Sequence, residues 1–179
     1  MTANERAAQL RMMIFDVDGV LTDGRLFIGP QGEAMKAFDV RDGHGIKMLM
    51  AAGVEVAVLT ARRSAIVGAR MRELGVKRVL QGQSDKRTGL AQLMHETGLE
   101  AAQCGYMGDD LPDLGVLKMV GFAAAPADAA AEVLDVAHWV SPREGGRAAV
   151  RSVAEFVLRA QEKWEQTLAR HIPTDGAPA

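Results

Sequence analysis

Six short apolar runs, MMIFDV, VEVAVLT, KRVLQG, QCGYMG, MVGFAAA and AHWVS, recur along this chain, separated by segments with helical patterning. Those segments include GIKMLMAAG, SAIVGARMRELG, KRTGLAQLMHETG, LPDLGVLKM and ADAAAEVLD, several of them closed by a glycine suited to a helix C-terminus. Strands that alternate with helices are most simply joined as parallel neighbours through crossover helices. The runs are continuously apolar rather than alternating, so both faces of the sheet are expected to be covered. The expected fold is α/β, a Rossmann-like open parallel sheet with helices on both faces. A final helix is expected from about Arg147 to Arg170, with Val150, Val153, Phe156 and Val157 on its packed side.

One stretch breaks the alternation. RLFIGPQGEAMKAFDV, about residues 25–40, places two short apolar runs around the turn cluster GPQG and is expected to form a β-hairpin. With 179 residues the chain is expected to form one domain, residues 1–170, followed by a flexible tail, 171–179, whose two prolines and lack of apolar period offer nothing to pack.

Charge and cysteine content narrow the partners. The 21 basic and 23 acidic residues leave a net charge of -2, so nucleic acid and membrane surfaces are not expected partners. A single cysteine, Cys104, excludes an intramolecular disulfide and is expected in the core. The N-terminal stretch carries Glu5 and Arg6 where a signal peptide needs an apolar centre, and a cytoplasmic home is the simplest expectation.

In open α/β sheets, ligands sit beyond the carboxyl ends of the strands. Polar groups fall at such points in four places: Asp16 and Asp18 after the first run, Thr60 ending the second, Lys86 opening a helix after the third, and Asp109, Asp110 and Asp113 in GDDLPD. Two positions apart on one strand, Asp16 and Asp18 are expected to share a face. Carboxylates from two strands make a hard, oxygen-rich site suited to Mg²⁺. A lysine and a threonine hydroxyl beside that metal are what a phosphoryl group requires.

DVDGVLTD, a threonine ending the second strand, a lysine and GDDLPD, in that order, resemble the haloacid dehalogenase superfamily of aspartate-nucleophile phosphotransferases over nearly the whole chain. The resemblance implies that Asp16 attacks phosphorus to form an aspartyl-phosphate and that Asp18 serves as acid and then base. It also implies that Asp16, the backbone carbonyl of Asp18 and Asp109 hold Mg²⁺. Asp110 and Asp113 would orient the site from behind, and Thr60 and Lys86 would hold the phosphoryl oxygens. The intervals from Asp18 to Thr60 and from Thr60 to Lys86 are too short for an inserted cap domain. Among cap-less members, FDVDGVLTDG, FDVRDGHGIKML, LTAR, GDDLPDL and GGRAAVR resemble the family of phosphatases acting on 3-deoxy-D-manno-octulosonate 8-phosphate, in lipopolysaccharide precursor synthesis.

That family implies a homotetramer in which hairpins and tails complete neighbouring sites. It also implies substrate contacts from Arg41, Gly43 and His44 in the RDGHG stretch, and Ala61 and Arg62 follow Thr60 closely enough to be expected at the ligand. Gly145, Gly146 and Arg147 are expected to shape the rim or anchor a tail. The chain departs from the family at Ala61, where relatives carry glycine, and in GGRAAVRS, where they carry GGxGAVRE; both departures bear on the substrate rather than on the catalytic set. A phosphatase for another sugar-acid phosphate, such as a nonulosonate 9-phosphate, is the alternative. A phospho-accepting receiver-like signalling module would also group acids, threonine and lysine around Mg²⁺. Receivers, however, pair adjacent acids on the first strand and place the acceptor on the third, unlike the order here.

Overall fold

The computed structural model describes residues 1–172, so residues 173–179 of the expected tail lie outside the described residues. In chain order the elements begin with α1 (Ala3–Ala8), β1 (Met12–Phe15), β2 (Phe27–Gly29), β3 (Gly32–Met35), α2 (Val40–Ala51), β4 (Glu55–Thr60) and α3 (Ala65–Leu74). They continue with β5 (Arg78–Gln81), α4 (Lys86–Thr97), β6 (Cys104–Met107), α5 (Leu114–Leu117), β7 (Phe122–Ala125), α6 (Ala131–Val136), β8 (Trp139–Val140), α7 (Ala149–Ala160) and α8 (Trp164–Ala169).

All six expected strands form one parallel sheet in the order β5-β4-β1-β6-β7-β8. Each face of the sheet is buried, which explains the continuous hydrophobicity of the runs. On β1, Met13 and Phe15 enter the core that includes Ile46, Met71 and Val153 from α2, α3 and α7. Met12 and Ile14 enter the opposite core, with Leu90, Val116 and Val133 from α4, α5 and α6. The chain runs outward from β1 to β4 and β5, then returns to lay β6 on the other side of β1. That reversal opens a crevice at the carboxyl end of β1.

β2 and β3 form the expected antiparallel hairpin, separate from the sheet, with a register shift between Phe27 and Ile28. The C-terminal segment differs from its expectation as one helix: the backbone of Glu162 turns left-handed at φ 56°, and α7 and α8 flank that break. Lys163 follows the break and donates to the Ala52 carbonyl past the end of α2, fastening α8 to it.

Candidate active site

β1 ends at Phe15, one residue short of the acids, so Asp16 and Asp18 stand in the loop beyond the strand rather than on one strand face. The Asp16 N–H continues the β1–β6 ladder by donating to Met107 O at 3.0 Å, which fixes the aspartate at the crevice floor. The crevice, about 280 Å³, is lined by Asp16, Asp18, Thr60, Ala61, Arg62, Lys86, Asp109, Asp110 and Asp113 among others.

Lys86 is the first residue of α4, and its buried ammonium lies between two carboxylates, 2.7 Å from Asp16 Oδ2 and 2.6 Å from Asp113 Oδ1. Asp113 is saturated with donors. Its Oδ1 also accepts from the Tyr106 hydroxyl at 2.5 Å, and its Oδ2 accepts from the backbone N–H groups of Asp109 and Asp110 at 3.0 and 3.2 Å. Asp113 therefore braces the lysine and the GDD loop together. Among the described residues, Asp16 Oδ1 is a buried carboxylate oxygen with no hydrogen-bond partner.

Burial pushes Asp16 up to about 6, against the pull of Lys86 and with a further push from Asp113. Burial, then the Asp113 and Asp16 carboxylates, push Asp109 up to about 7. Burial by itself would lower Lys86, but the two carboxylates outweigh it and hold its pKa above the ordinary value. The asymmetry has a simple cause: the lysine faces two opposite charges, whereas Asp16 faces one opposite and one like charge. One ammonium thus serves three acids, Asp16, Asp109 and Asp113, whose oxygens lie within 4.8 Å of one another. The unpartnered Asp16 oxygen and this excess of negative charge fit a hard divalent cation.

Asp109 reaches this position because residue 19 is glycine. A Cβ on Gly19, at φ +83°, would lie 2.0 Å from Asp109 Oδ2. Gly145 and Gly146 press on the same loop from outside. A Cβ on Gly145 would lie 1.8 Å from Gly19 O, and the Gly146 N–H donates to Val20 O at 2.9 Å. Replacing Gly19 by alanine is expected to weaken divalent-cation affinity by about 10- to 100-fold, the usual cost of disturbing the surroundings of a ligand. Isothermal titration with Mg²⁺ checks this, and unchanged affinity would show that Asp109 does not depend on the close approach.

The remaining residues singled out from sequence divide into two sets. Ala61 and Arg62 line the crevice, with Arg62 Nε 3.8 Å from Asp18 Oδ2. Arg41, Gly43 and His44 are not brought to it. They lie on α2, where Arg41 pairs with Asp39 at 2.6 Å, a Cβ on Gly43 would lie 2.4 Å from Arg70 Nη2, and the His44 ring sits 5.1 Å from that of His171. RDGHG belongs instead to the seam between α2 and α7: buried Asp42 accepts from the N–H groups of Ala148 and Arg151 at 3.3 and 2.8 Å. Sequence reasoning missed Tyr106, and it missed Glu33 and Lys36 on the hairpin. Lys36 donates to Asp18 Oδ1 and pairs with Glu33 at 3.1 Å. The signal was available in GEAMK, where charged residues interrupt an apolar hairpin.

Four converging segments at the switch point of a parallel sheet, with a buried aspartate–lysine–aspartate set, define a haloacid dehalogenase-like hydrolase, and the family of that description matches residues 75–150. A 3-deoxy-D-manno-octulosonate 8-phosphate phosphatase from Yersinia pestis is 44% identical over 161 residues, 90% of this chain and 86% of the relative. The enzyme of the same name from Escherichia coli K12 is 39% identical over 167 residues, 93% of this chain and 89% of the relative. A crystal structure of the Moraxella catarrhalis phosphatase, in complex with a magnesium ion, a phosphate ion and a KDO molecule, superposes with a TM-score of 0.92 at 36% identity, covering 95% of this chain and 98% of that one. The chain belongs to the 3-deoxy-D-manno-octulosonate 8-phosphate phosphatase family.

Proposed function

We infer that this chain is a Mg²⁺-dependent phosphatase that hydrolyses 3-deoxy-D-manno-octulosonate 8-phosphate to the free sugar acid and phosphate, in lipopolysaccharide precursor synthesis. The observation that carries the chemistry is the state of Asp16: one oxygen is held by Lys86 and the other has no partner among the described residues, within a crevice rich in oxygen donors. Asp16 attacks phosphorus as the bond to the sugar oxygen breaks. Asp18 gives a proton to that oxygen and later takes one from the water that hydrolyses the aspartyl-phosphate. This division into two displacements is what covalent catalysis contributes, and a positioned acid contributes about 10²–10⁴-fold. Thr60 and Lys86 hold the phosphoryl oxygens. Asp16, Asp109 and the backbone carbonyl of Asp18 would hold Mg²⁺, whose charge lets a carboxylate approach an anionic phosphate. Both oxygens of Asp113 are already engaged, which suits it to orienting the site rather than to ligation; Asp110 helps by capping the turn at Leu111.

Arg62, at the crevice mouth, is the residue of this protomer best placed to meet the carboxylate of the sugar acid. The deciding measurement is steady-state phosphate release with Mg²⁺, comparing kcat/KM for 3-deoxy-D-manno-octulosonate 8-phosphate with nonulosonate 9-phosphates and hexose phosphates. A preference of about 10²-fold or more is expected, with activity lost to EDTA and restored by Mg²⁺. Low, flat activity across the panel would overturn the substrate and move attention to Ala61 and GGRAAVRS.

The working unit is proposed to be a cytoplasmic homotetramer in which the hairpin, and the tail beyond it, complete neighbouring sites. Support comes from the hairpin itself, where Leu26, Ile28 and Met35 are exposed at 45, 63 and 57%. An isolated two-stranded hairpin is marginally stable, and a projecting apolar face calls for a partner. Light scattering is expected to show a tetramer for the native chain and smaller species for Ile28→Asp. A native monomer with full activity would contradict the shared site.

A further inference from the structure

We propose that Lys36, carried just beyond β3, is a positioning residue for Asp18, holding one carboxylate oxygen so that the other is presented to the leaving group. This deepens the reading of Asp18 as the acid–base residue and rests on it.

The hairpin inverts the ordinary pattern of a surface element. Its apolar residues Leu26, Ile28 and Met35 point outward, while the Lys36 side chain, only 1% exposed, is turned in toward the crevice. Such a local reversal, a charge inside and methyl groups outside, marks a place where stability has been yielded to another requirement. Lys36 Nζ donates to Asp18 Oδ1. Asp18 Oδ2 is left on the side of Arg62, whose Nε lies 3.8 Å away at the mouth of the crevice.

The lysine is itself held. Glu33 Oε1 pairs with Nζ at 3.1 Å, and Glu33 Oε2 accepts from the Ser64 hydroxyl. Ser64 is in turn tied to the main sheet: its N–H donates to Gln81 Oε1 at 2.6 Å, and its hydroxyl caps α3 by accepting from the Val67 N–H. A continuous chain of contacts therefore runs from the end of β5 through Ser64, Glu33 and Lys36 to the carboxylate of Asp18. Asp18 stands in a loop rather than on the strand, so a second anchor is needed to keep its carboxylate in one orientation. The outer face of the same hairpin is the one proposed to meet another copy of the chain, so assembly and the orientation of the acid depend on one element.

The chemistry gives a readout that loss of structure alone would not move. In the first displacement the Asp16–phosphorus bond forms, the bond from phosphorus to the leaving oxygen breaks, and the proton passes from Asp18 to that oxygen. An alkyl leaving group needs the proton, whereas p-nitrophenolate departs without it. We therefore compare kcat/KM for native protein, Lys36→Met and Asp18→Asn on 3-deoxy-D-manno-octulosonate 8-phosphate, a simple alkyl phosphate and p-nitrophenyl phosphate, with Mg²⁺ present. Lys36→Met is expected to lose about 10²-fold on the two alkyl esters and less than about tenfold on the aryl ester, following the direction of Asp18→Asn. An equal loss on all three esters would reduce Lys36 to a structural role and overturn the proposal, even where Asp18→Asn shows the leaving-group dependence. If Asp18→Asn shows no such dependence, the assignment of the acid fails first and the positioning role fails with it. Should Lys36→Met not stay assembled by light scattering, Lys36→Gln, which keeps a donor without the charge, is put through the same series with the same criteria.

Discussion

Asp16→Asn is expected to lower kcat by about 10⁴-fold or more while making the metal-free protein more stable at pH 8. The first half follows from removing the proposed nucleophile. The second follows from burial, which raises the Asp16 pKa to about 6 in the folded chain, above its ordinary value of 3.8. A carboxyl group with a raised folded pKa binds its proton more tightly in the folded than in the unfolded chain. Stability therefore falls as pH rises between about 4 and 6, and the full cost is present above about 6. Asparagine keeps an acceptor for Lys86 but carries no charge, so the variant avoids that cost. Its advantage is expected to be on the order of 1–3 kcal/mol at pH 8, to shrink through that window, and to be gone near pH 4. Thermal melts in EDTA across this range, beside phosphate release with Mg²⁺, check both halves. A metal-free variant less stable than the native protein at pH 8 would mean that the Lys86 pair outweighs burial.

Lys86→Met attacks the same set from the other side and is expected to cost both activity and stability. Removing the ammonium leaves Asp16 and Asp113 buried around an apolar chain, each having lost a bond shorter than 2.8 Å. Breaking a buried pair by deleting one partner costs about 3–5 kcal/mol, because the other charge is stranded. Loss of the charge proposed to meet the phosphoryl oxygens is expected to reduce kcat by about 10³-fold. Urea denaturation of Lys86→Met, Asp16→Asn and the double variant separates these effects. In the double variant, part of the lost stability is expected to return with no activity. A cost below about 1 kcal/mol for Lys86→Met would show that water, rather than the lysine, compensates the acids.

The parts of the molecule that were legible in the amino-acid order are those whose position follows from topology. MMIFDV, VEVAVLT and QCGYMG are buried on both faces, so their composition alone declares them central strands, and the polar residues that follow them must emerge at one end of the sheet. Asp16, Thr60, Lys86 and Asp109 meet for that reason. What was not legible depends on side-chain direction or on a single dihedral angle. Tyr106 meets Asp113 through the way it points, which no spacing reveals, and GEAMK shows that the hairpin carries charge but not that Lys36 turns inward. The break at Glu162 comes from a left-handed residue with no glycine to announce it. The short helix α1 has a capping box between Thr2 and Glu5 that was readable in principle, but it is overshadowed by the charged start of the chain. Arg41, Gly43 and His44 stand out by motif, and packing of α2 on α7 places that motif away from the crevice of this chain.

The order of strands has a consequence for how the chain is made. β1 is made before the other strands of the sheet, yet its two neighbours are β4 and, much later, β6, where Cys104 pairs beside Met12. At about 5–20 residues per second, synthesis leaves Met12, Met13, Ile14 and Phe15 without their second partner for several seconds. Of the central strands, β1 thus waits longest between its own synthesis and its enclosure. Asp16 and Asp18 follow directly on that stretch and set two charges at its end, the kind of flank that opposes strand-to-strand association. The carboxylates proposed for the chemistry thus lie beside an unpaired strand before any site exists.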